Sequence, residues 1–315
     1  YDTGFHVSSP NPFTVQKFAK EALNNDDQYL VLEVTSHGLD QYRFWGINFE
    51  AGVITNITHD HLDYHKTYEN YFQTKLKLIK NSKSAIVNED VKKVSRKVVT
   101  FGLDKGDFNQ KDIKLKLKLP GDYNIENALA ALAVAFALNI DRKIAQKALE
   151  NFEGIRGRME EVKNNRGIRI IIDFASTPNA LEKSLIALRT RGTPGRLIAV
   201  FGSAAERDIL KRPMMGKISA QLANITIITD EDPRYEDSNK IISEIAEGAY
   251  KAGAKDGINL FKEPNRQKAI DMAIGLAKDG DIVGIFGKGH EKSINYKGVE
   301  TPWSDFKAVA KALQS

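Results

Sequence analysis

Apolar, β-prone runs alternate with stretches of helical periodicity along almost the whole chain, and this alternation limits the fold more than any other feature. It predicts strands over 29–34, 51–55, 84–88, 97–101, 168–173, 196–201, 225–229, 258–261 and 282–286. Helices are predicted over 67–80, 124–138, 141–152, 179–189, 214–222, 240–252, 266–278 and 305–313. In the first of these helices Tyr68, Tyr71, Phe72, Leu76 and Ile79 fall on one stripe. Lys111 to Lys118 alternates lysine with apolar residues and reads as an edge strand with a solvated face. Such a βαβ succession implies the α/β class, with a mostly parallel sheet covered on both faces.

The pattern restarts after Gly154-Ile-Arg-Gly-Arg158, which places a domain boundary near Gly157 and gives two domains, 1–157 and 158–315. A chain of 315 residues is long enough for about two domains at roughly 150 residues each. With 42% hydrophobic and 28% charged residues it has an ordinary globular composition. The absence of cysteine excludes disulfides, thiol catalysis and cysteine-bound zinc, and suits a reducing compartment. No apolar run reaches the ~18 residues of a membrane span, so no membrane association is expected. The net charge of +5 is spread along the chain rather than gathered into a basic stripe with stacking aromatics. That argues against nucleic acid and leaves an anionic small substrate as the natural partner.

Polar clusters follow the predicted strands, where ligands gather in open α/β sheets. They are Glu33 to His37, Asn56 to His65, Asp173 to Pro178, Gly202 to Arg212, Thr229 to Glu236, and Gly287 to Glu291. Six such clusters imply sites facing a shared cleft. The densest, Asn56 to His65, holds three of the six histidines, and its His59-Asp60-His61 core reads either as a cation site or as a capping loop. Glu33 closes an apolar run and wants a cation, an arginine or water. Lys75 by itself reads as a solvated lysine on an amphipathic helix. Arg207-Asp208 and Lys211-Arg212 read in isolation as surface loop residues, although an Arg fork also suits bidentate recognition of a carboxylate or phosphate. Gly287-Lys-Gly-His-Glu291 is a turn whose backbone N–H groups suit an anion. No Gly-x-x-x-x-Gly-Lys-Ser/Thr loop occurs: Gly216-Lys217 is followed by Ile218 and Gly287-Lys288 by Gly289.

In this order, the clusters resemble the Mur ligases, and within them the MurE type, which adds the third amino acid of the peptidoglycan stem. The matching segments are Glu33 to Leu39 with Arg43, Thr55 to His65 through Lys75, Asn124 to Ala131, Gly157 to Glu160 and Asp173 to Pro178. They continue with Glu206 to Asp208, Lys211 to Pro213, Asp230 to Arg234, and Gly287 to Glu291. The resemblance implies a central ATPase domain of P-loop type, beginning after its P-loop, followed by a Rossmann-like C-terminal domain. A fragment lacking the N-terminal domain and P-loop is therefore expected, inactive by itself. The implied reaction is ATP-dependent amide ligation in peptidoglycan biosynthesis. The terminal carboxylate of UDP-N-acetylmuramoyl-L-alanyl-D-glutamate is phosphorylated, and an amino-acid amine then attacks the acyl phosphate. By the same resemblance Glu33 and His61 bind Mg²⁺ and Lys75 is carbamylated. Ser8, Ser9, Thr35 and Arg43 hold the muramoyl-dipeptide, and Asn127, Arg158 and Asp173 lie near ATP. Arg207, Asp232, Arg234, Gly287 and Glu291 form the pocket for the incoming amino acid. A cytoplasmic monomer is implied.

Three residues depart from the family pattern. Thr35 replaces a Ser and keeps the hydroxyl. Ser176 replaces a His, removing an imidazole. Asp232 replaces an Asn, so it loses an amide donor, repels a substrate carboxylate and attracts an amine, while Arg234 keeps a carboxylate fork. A diamino acid bearing a carboxylate, meso-diaminopimelate before L-lysine, is expected. The alternatives are a non-catalytic binding or scaffold remnant motivated by the missing P-loop, and a folylpolyglutamate- or cyanophycin-type ligase, against which His59 to His65 and Asp232-Pro-Arg234 argue.

Overall fold

A computed structural model describes residues 9–58, 61–91, 94, 97–189 and 195–314. The chain divides into two compact units, residues 1–116 with 125–150, and residues 117–124 with 151–315.

The first unit contains α1 (Pro12–Asn24), α2 (Ser36–Asp40), β1 (Phe49–Ile54), α3 (Leu62–His65), α4 (Tyr68–Lys80), β2 (Ser82–Asn88), β3 (Val99–Gly102) and β4 (Phe108–Asn109). Most of α5 (Asp122–Ala137) and α6 (Arg142–Asn151) belongs to it as well. Its strands form a parallel sheet in the order β1-β2-β3-β4. Successive β2 side chains serve opposite faces, as a two-residue period requires. Ala85 and Val87 pack with Phe72, Leu76 and Ile79 of α4, and Ile86 packs with Leu129, Leu132 and Ala133 of α5.

Two predicted strands are not strands. Residues 29–34 run extended without a ladder, and Val31 is 92% exposed. Apolar, β-branched composition gives a segment its propensity, but a strand exists only when a neighbour accepts its backbone, and no described strand lies beside this one. Residues 111–118 do alternate, with Ile113 buried and the lysines exposed, yet their backbone pairs with helix side chains. Gln146 Nε2 donates to Lys114 O, and Lys116 N donates to Glu150 Oε1, both from α6. Conversely α1, the short α2 and α3, and β4 lie outside the predicted elements, although Asn11 and Pro12 give α1 a helix-start signature.

The second unit contains β5 (Glu160–Val162), β6 (Arg169–Asp173), α7 (Pro178–Arg189), β7 (Leu197–Phe201), α8 (Lys211–Leu222), β8 (Ile225–Ile228) and α9 (Ser238–Lys251). It continues with β9 (Leu260–Lys262), α10 (Arg266–Leu276), β10 (Ile282–Phe286), the hairpin β11 (Ser293–Tyr296) and β12 (Val299–Pro302), and α11 (Asp305–Ala312). The sheet order is β5-β6-β10-β7-β8-β9, parallel except for β5. Alternation again sorts the core. Ile171, Leu197, Ala199 and Phe201 face Leu181 and Leu185 of α7, Met215 of α8 and Ile245 of α9. Ile170, Ile172, Ile198 and Val200 face Ile270 and Ile274 of α10 and Val309 of α11. Each fully buried Leu or Ile contributes about 1.5–3 kcal/mol. The sheet is thus sandwiched between two helical layers, and its C-terminal strand ends carry the polar loops.

Candidate functional site

In the first unit, a hydroxyl network gathers residues far apart in sequence. Ser9 is buried. Its Oγ donates to Glu33 O at 3.0 Å and accepts from Thr35 N at 3.1 Å and from Thr35 Oγ1 at 2.9 Å, which uses its whole hydrogen-bonding capacity. Thr35 Oγ1 also caps α2 by accepting Gly38 N at 3.0 Å. Arg43 Nη1 donates to Ser9 O, while its Nε and Nη2 donate to Gln41 Oε1 at 2.9 and 2.6 Å. Ser9, Thr35 and Arg43 therefore stand together; Ser8 lies outside the described residues. Glu33 joins this network through its carbonyl, and its side chain is exposed, so the burial cost its place in an apolar run implied does not arise.

Immediately after Thr35 the chain enters an imidazole and phenol cluster. Ser36 Oγ lies 2.9 Å from His65 Nε2 in a buried pair. The His37 ring lies 5.0 Å edge-on from His61, 4.2 Å from Tyr64 and 5.6 Å from His65. Tyr71 on α4 is 5.9 Å from His61 and 5.3 Å from His65. One turn further on, Lys75 Nζ lies 5.3 Å over the Tyr71 ring, a cation–π contact at i,i+4 spacing. His61 is held at φ 55°, a left-handed conformation that carries strain in a non-glycine residue. At the cluster's edge, hydrogen bonds from Lys77 and then Tyr64 hold the Asp40 carboxyl below its usual range. His61 and Lys75 are thus brought together around Tyr71. His59 and Asp60 lie outside the described residues.

Glu33 and His61 supply one carboxylate and one imidazole, and among the described residues no three His, Asp or Glu side chains could hold a metal ion. A third donor, and the second anionic one, arises only if Lys75 is carbamylated. With it the set suits a divalent cation, since a protonated lysine repels one. His37, His65, Tyr64 and Tyr71 were absent from the sequence-derived site. The histidines do lie in the motifs; Tyr71 falls on a helical stripe that reads as core.

Asn127 is exposed on the α5 segment of the first unit. In the second unit, Asp173 ends β6 with its carboxylate buried. Burial pushes its carboxyl up, against backbone N–H bonds from Ala175 at 2.7 Å and Met159 at 2.8 Å. The Arg158 guanidinium stacks 4.3 Å over Phe174, whose other neighbour is the His290 ring at 5.3 Å. Gly157 backs directly onto the loop after β10: a Cβ there would meet His290 N at 2.3 Å. The loop's Gly287, at φ +106°, donates its N–H to Asp173 O at 3.1 Å, and a Cβ on it would meet Glu231 Oε2 at 2.9 Å. Glu291 N donates to Lys288 O. Two of the turn's N–H groups that the sequence offered to an anion are therefore spent within the protein.

Lys288 is fully buried. Its Nζ lies 3.0 Å from Asp232 Oδ1 and 2.6 Å from Glu291 Oε2. Burial works against its charge, but Glu291 and Asp232 outweigh this and hold its pKa above the usual lysine value. Asp232 Oδ1 also accepts Asn295 N at 2.9 Å. The carboxylate replacing the family's amide is therefore paired through its Oδ1. Glu231 beside it is buried, and its Oε2 has no hydrogen-bond partner among the described residues. Burial drives its carboxyl up, against the attraction of Lys211, Lys288 and Arg266.

Arg234 adopts φ 46° and is clasped by the hairpin: its N–H donates to Asn295 O at 3.0 Å and its carbonyl accepts Lys297 N at 2.7 Å. Its Nη1 lies 3.5 Å from Glu206 Oε2. Arg207, next in sequence, is exposed. The loop carrying it is anchored from below, because Glu206 N donates to Glu236 Oε1, and Glu236 pairs with the buried Arg212, which also holds Glu244. Lys211 Nζ donates to the carbonyl of Ser176, the residue in the place of the family's His. Arg158, Asp173, Asp232, Arg234, Gly287 and Glu291 thus converge at the strand ends of this unit. Lys288, Glu231 and Arg212 were not singled out from sequence, since charged residues in loops read as solvated.

Two family models match the chain: the Mur ligase middle domain over residues 4–135, and the Mur ligase, glutamate ligase domain over residues 157–289. A UDP-N-acetylmuramoyl-L-alanyl-D-glutamate–2,6-diaminopimelate ligase of Clostridium botulinum is 36% identical over 314 residues, covering 91% of this chain and 64% of the relative. A UDP-N-acetylmuramyl-tripeptide synthetase of Roseiflexus is 36% identical over 349 residues, covering 97% of this chain and 68% of the relative. Among solved structures, a UDP-N-acetylmuramoyl-L-alanyl-D-glutamate–2,6-diaminopimelate ligase superposes with TM-score 0.59 at 28% identity, covering 97% of this chain and 68% of that one. The chain spans just under two thirds of the length of the clostridial relative.

Proposed function

The chain belongs to the Mur ligase family, and from that premise we propose that it is the part of an ATP-dependent amide ligase that adds a diamino acid to UDP-N-acetylmuramoyl-L-alanyl-D-glutamate. The observation that carries this reading is the junction at the strand ends of the second unit. There the Gly287 N–H to Asp173 O bond ties the end of β6 to the loop after β10, whose Lys288 pairs with Asp232 and Glu291. A phosphoryl-donor region and an amine-acceptor pocket on one rigid frame suit acyl-phosphate chemistry.

In this reading ATP transfers its terminal phosphoryl group to the substrate carboxylate, giving an acyl phosphate and ADP. The incoming amine then attacks the carbonyl carbon, loses a proton and expels phosphate. Ser9, Thr35 and Arg43 orient the dipeptide. Asn127, Arg158 and Asp173 hold the nucleotide, the guanidinium countering phosphate charge. Glu33, His61 and carbamylated Lys75 hold Mg²⁺, which when bound neutralises charge on the transferring phosphoryl group. Arg207 and Arg234 take a carboxylate of the amino acid, and Glu291 with Asp232 faces its distal ammonium. The amino acid is meso-diaminopimelate in preference to L-lysine, because the Arg234 fork suits the distal carboxylate that lysine lacks. The enzyme acts in peptidoglycan synthesis, in the cytoplasm and as a monomer.

The test is an amino-acid panel with the complete gene product, ATP and UDP-N-acetylmuramoyl-dipeptide. Phosphate release dependent on meso-diaminopimelate and weaker with lysine is expected; release with no amino acid in the panel contradicts the reading.

A further inference from the structure

We propose that Lys288 is a positioning residue that sets both the geometry and the charge of the amino-acid pocket by sharing one buried ammonium between Asp232 and Glu291. This rests on the proposed ligase function and deepens it. Lys288 is fully buried, with Nζ 3.0 Å from Asp232 Oδ1 and 2.6 Å from Glu291 Oε2. An ammonium with three donors can hold two carboxylates at a fixed separation, and burial removes the competing water. The two carboxylates retain more exposure than the lysine, at 16% and 21%. Asp232 keeps its other oxygen for a ligand, since Oδ1 is the atom that accepts both Lys288 Nζ and Asn295 N.

The charge count explains why an aspartate is tolerated here. Asp232, Glu291 and the neighbouring buried Glu231 are three carboxyls around Lys288. Without the lysine, Asp232 and Glu291 would repel each other and turn apart. With it, the pair keeps one surplus negative charge, which suits the second ammonium of a diamino acid. Lys288 thus holds the two carboxylates side by side. A neutral amide at 232 would need that screening less.

The proposal is tested with the complete gene product in the ligation assay, comparing the unmodified enzyme with Lys288→Met, Asp232→Asn and the double variant. Lys288→Met is expected to raise the amino-acid KM at least tenfold while changing the ATP KM less than twofold. Asp232→Asn in the Lys288→Met background is expected to recover at least threefold of that loss. An amino-acid KM within twofold of the unmodified enzyme, or no recovery in the double variant, overturns the proposal. If Lys288→Met does not fold, Asp232→Asn, Glu291→Gln and their double variant replace it. Carboxylates sharing one ammonium should give a double-variant KM at least threefold away from the product of the two single effects, and multiplicative effects overturn the proposal. Failure of the unmodified enzyme to ligate any amino acid overturns the functional reading and this inference with it, whereas the other failures overturn only the inference.

Discussion

Lys75 on an amphipathic helix and Lys288 in a glycine-rich turn both read as solvated in sequence, and the structure separates them. Lys75 lies half-buried over the Tyr71 ring, whereas Lys288 is enclosed between carboxylates. If Lys75 functions as a carbamate, Lys75→Glu supplies a comparable anion, and it should retain at least tenfold more turnover than Lys75→Ala. Equal loss in both variants, measured on the complete gene product, removes the carbamate role. Arg234→Ala should raise the amino-acid KM about tenfold or more, the value of one charge-assisted contact, with the ATP KM unchanged. An unchanged amino-acid KM takes Arg234 out of the pocket. Glu231 gives a pH prediction. Its carboxyl is raised by burial above the ordinary carboxylate value of 4.5, so folding favours its neutral form. That contribution is complete below 4.5 and is lost as pH rises through the folded value. Urea unfolding should show Glu231→Gln gaining stability relative to the unmodified chain as pH rises above 4.5, and a pH-independent difference contradicts this. Little of this was readable in sequence. Ser9, Thr35 and Arg43 were singled out by resemblance, but their shared hydrogen bonds depend on a chain reversal that no local pattern encodes.

At the scale of elements, the strands of the second unit were legible because four of them, β6, β7, β8 and β10, are buried on both faces and so read as continuous apolar runs. The same signal misled at 29–34, where equally apolar residues find no ladder, and at 111–118, where α6 side chains take the backbone bonds. Hydrophobicity reports what a segment can do; pairing depends on what lies beside it. The element junction that matters most is Arg266 at the start of α10. It is fully buried, forks onto Asp305 of α11 through two 2.8 Å bonds, and donates to the carbonyls of Asp230 and Phe286. It thereby fixes the two strand ends from which the pocket loops leave. Arg266→Met would strand Asp305 and these carbonyls, costing about 3–5 kcal/mol in urea unfolding. Pairing it with Asp305→Leu should recover part of that cost. A loss below about 1 kcal/mol contradicts the anchoring role.

At the scale of the molecule, each unit has its own sheet, its own core and its own polar cluster; the restart of the pattern after Arg158 puts a boundary near Gly157, whereas the second unit begins at Asn151 and also takes residues 117–124. What the sequence withheld was the interior wiring of the second unit, since its ion pairs join residues far apart in the chain, 56 positions for Asp232 and Lys288 and 85 for Arg196 and Asp281. The account's central claim is that these clusters serve one reaction, in which a carboxylate is activated as an acyl phosphate before an amine displaces phosphate. That reaction moves an oxygen atom from the dipeptide to the phosphate. The complete gene product is therefore given ATP, meso-diaminopimelate and UDP-N-acetylmuramoyl-dipeptide carrying heavy oxygen in its terminal carboxylate, and the released phosphate is analysed by mass spectrometry. The account predicts one heavy oxygen in each phosphate released; phosphate without label would contradict it.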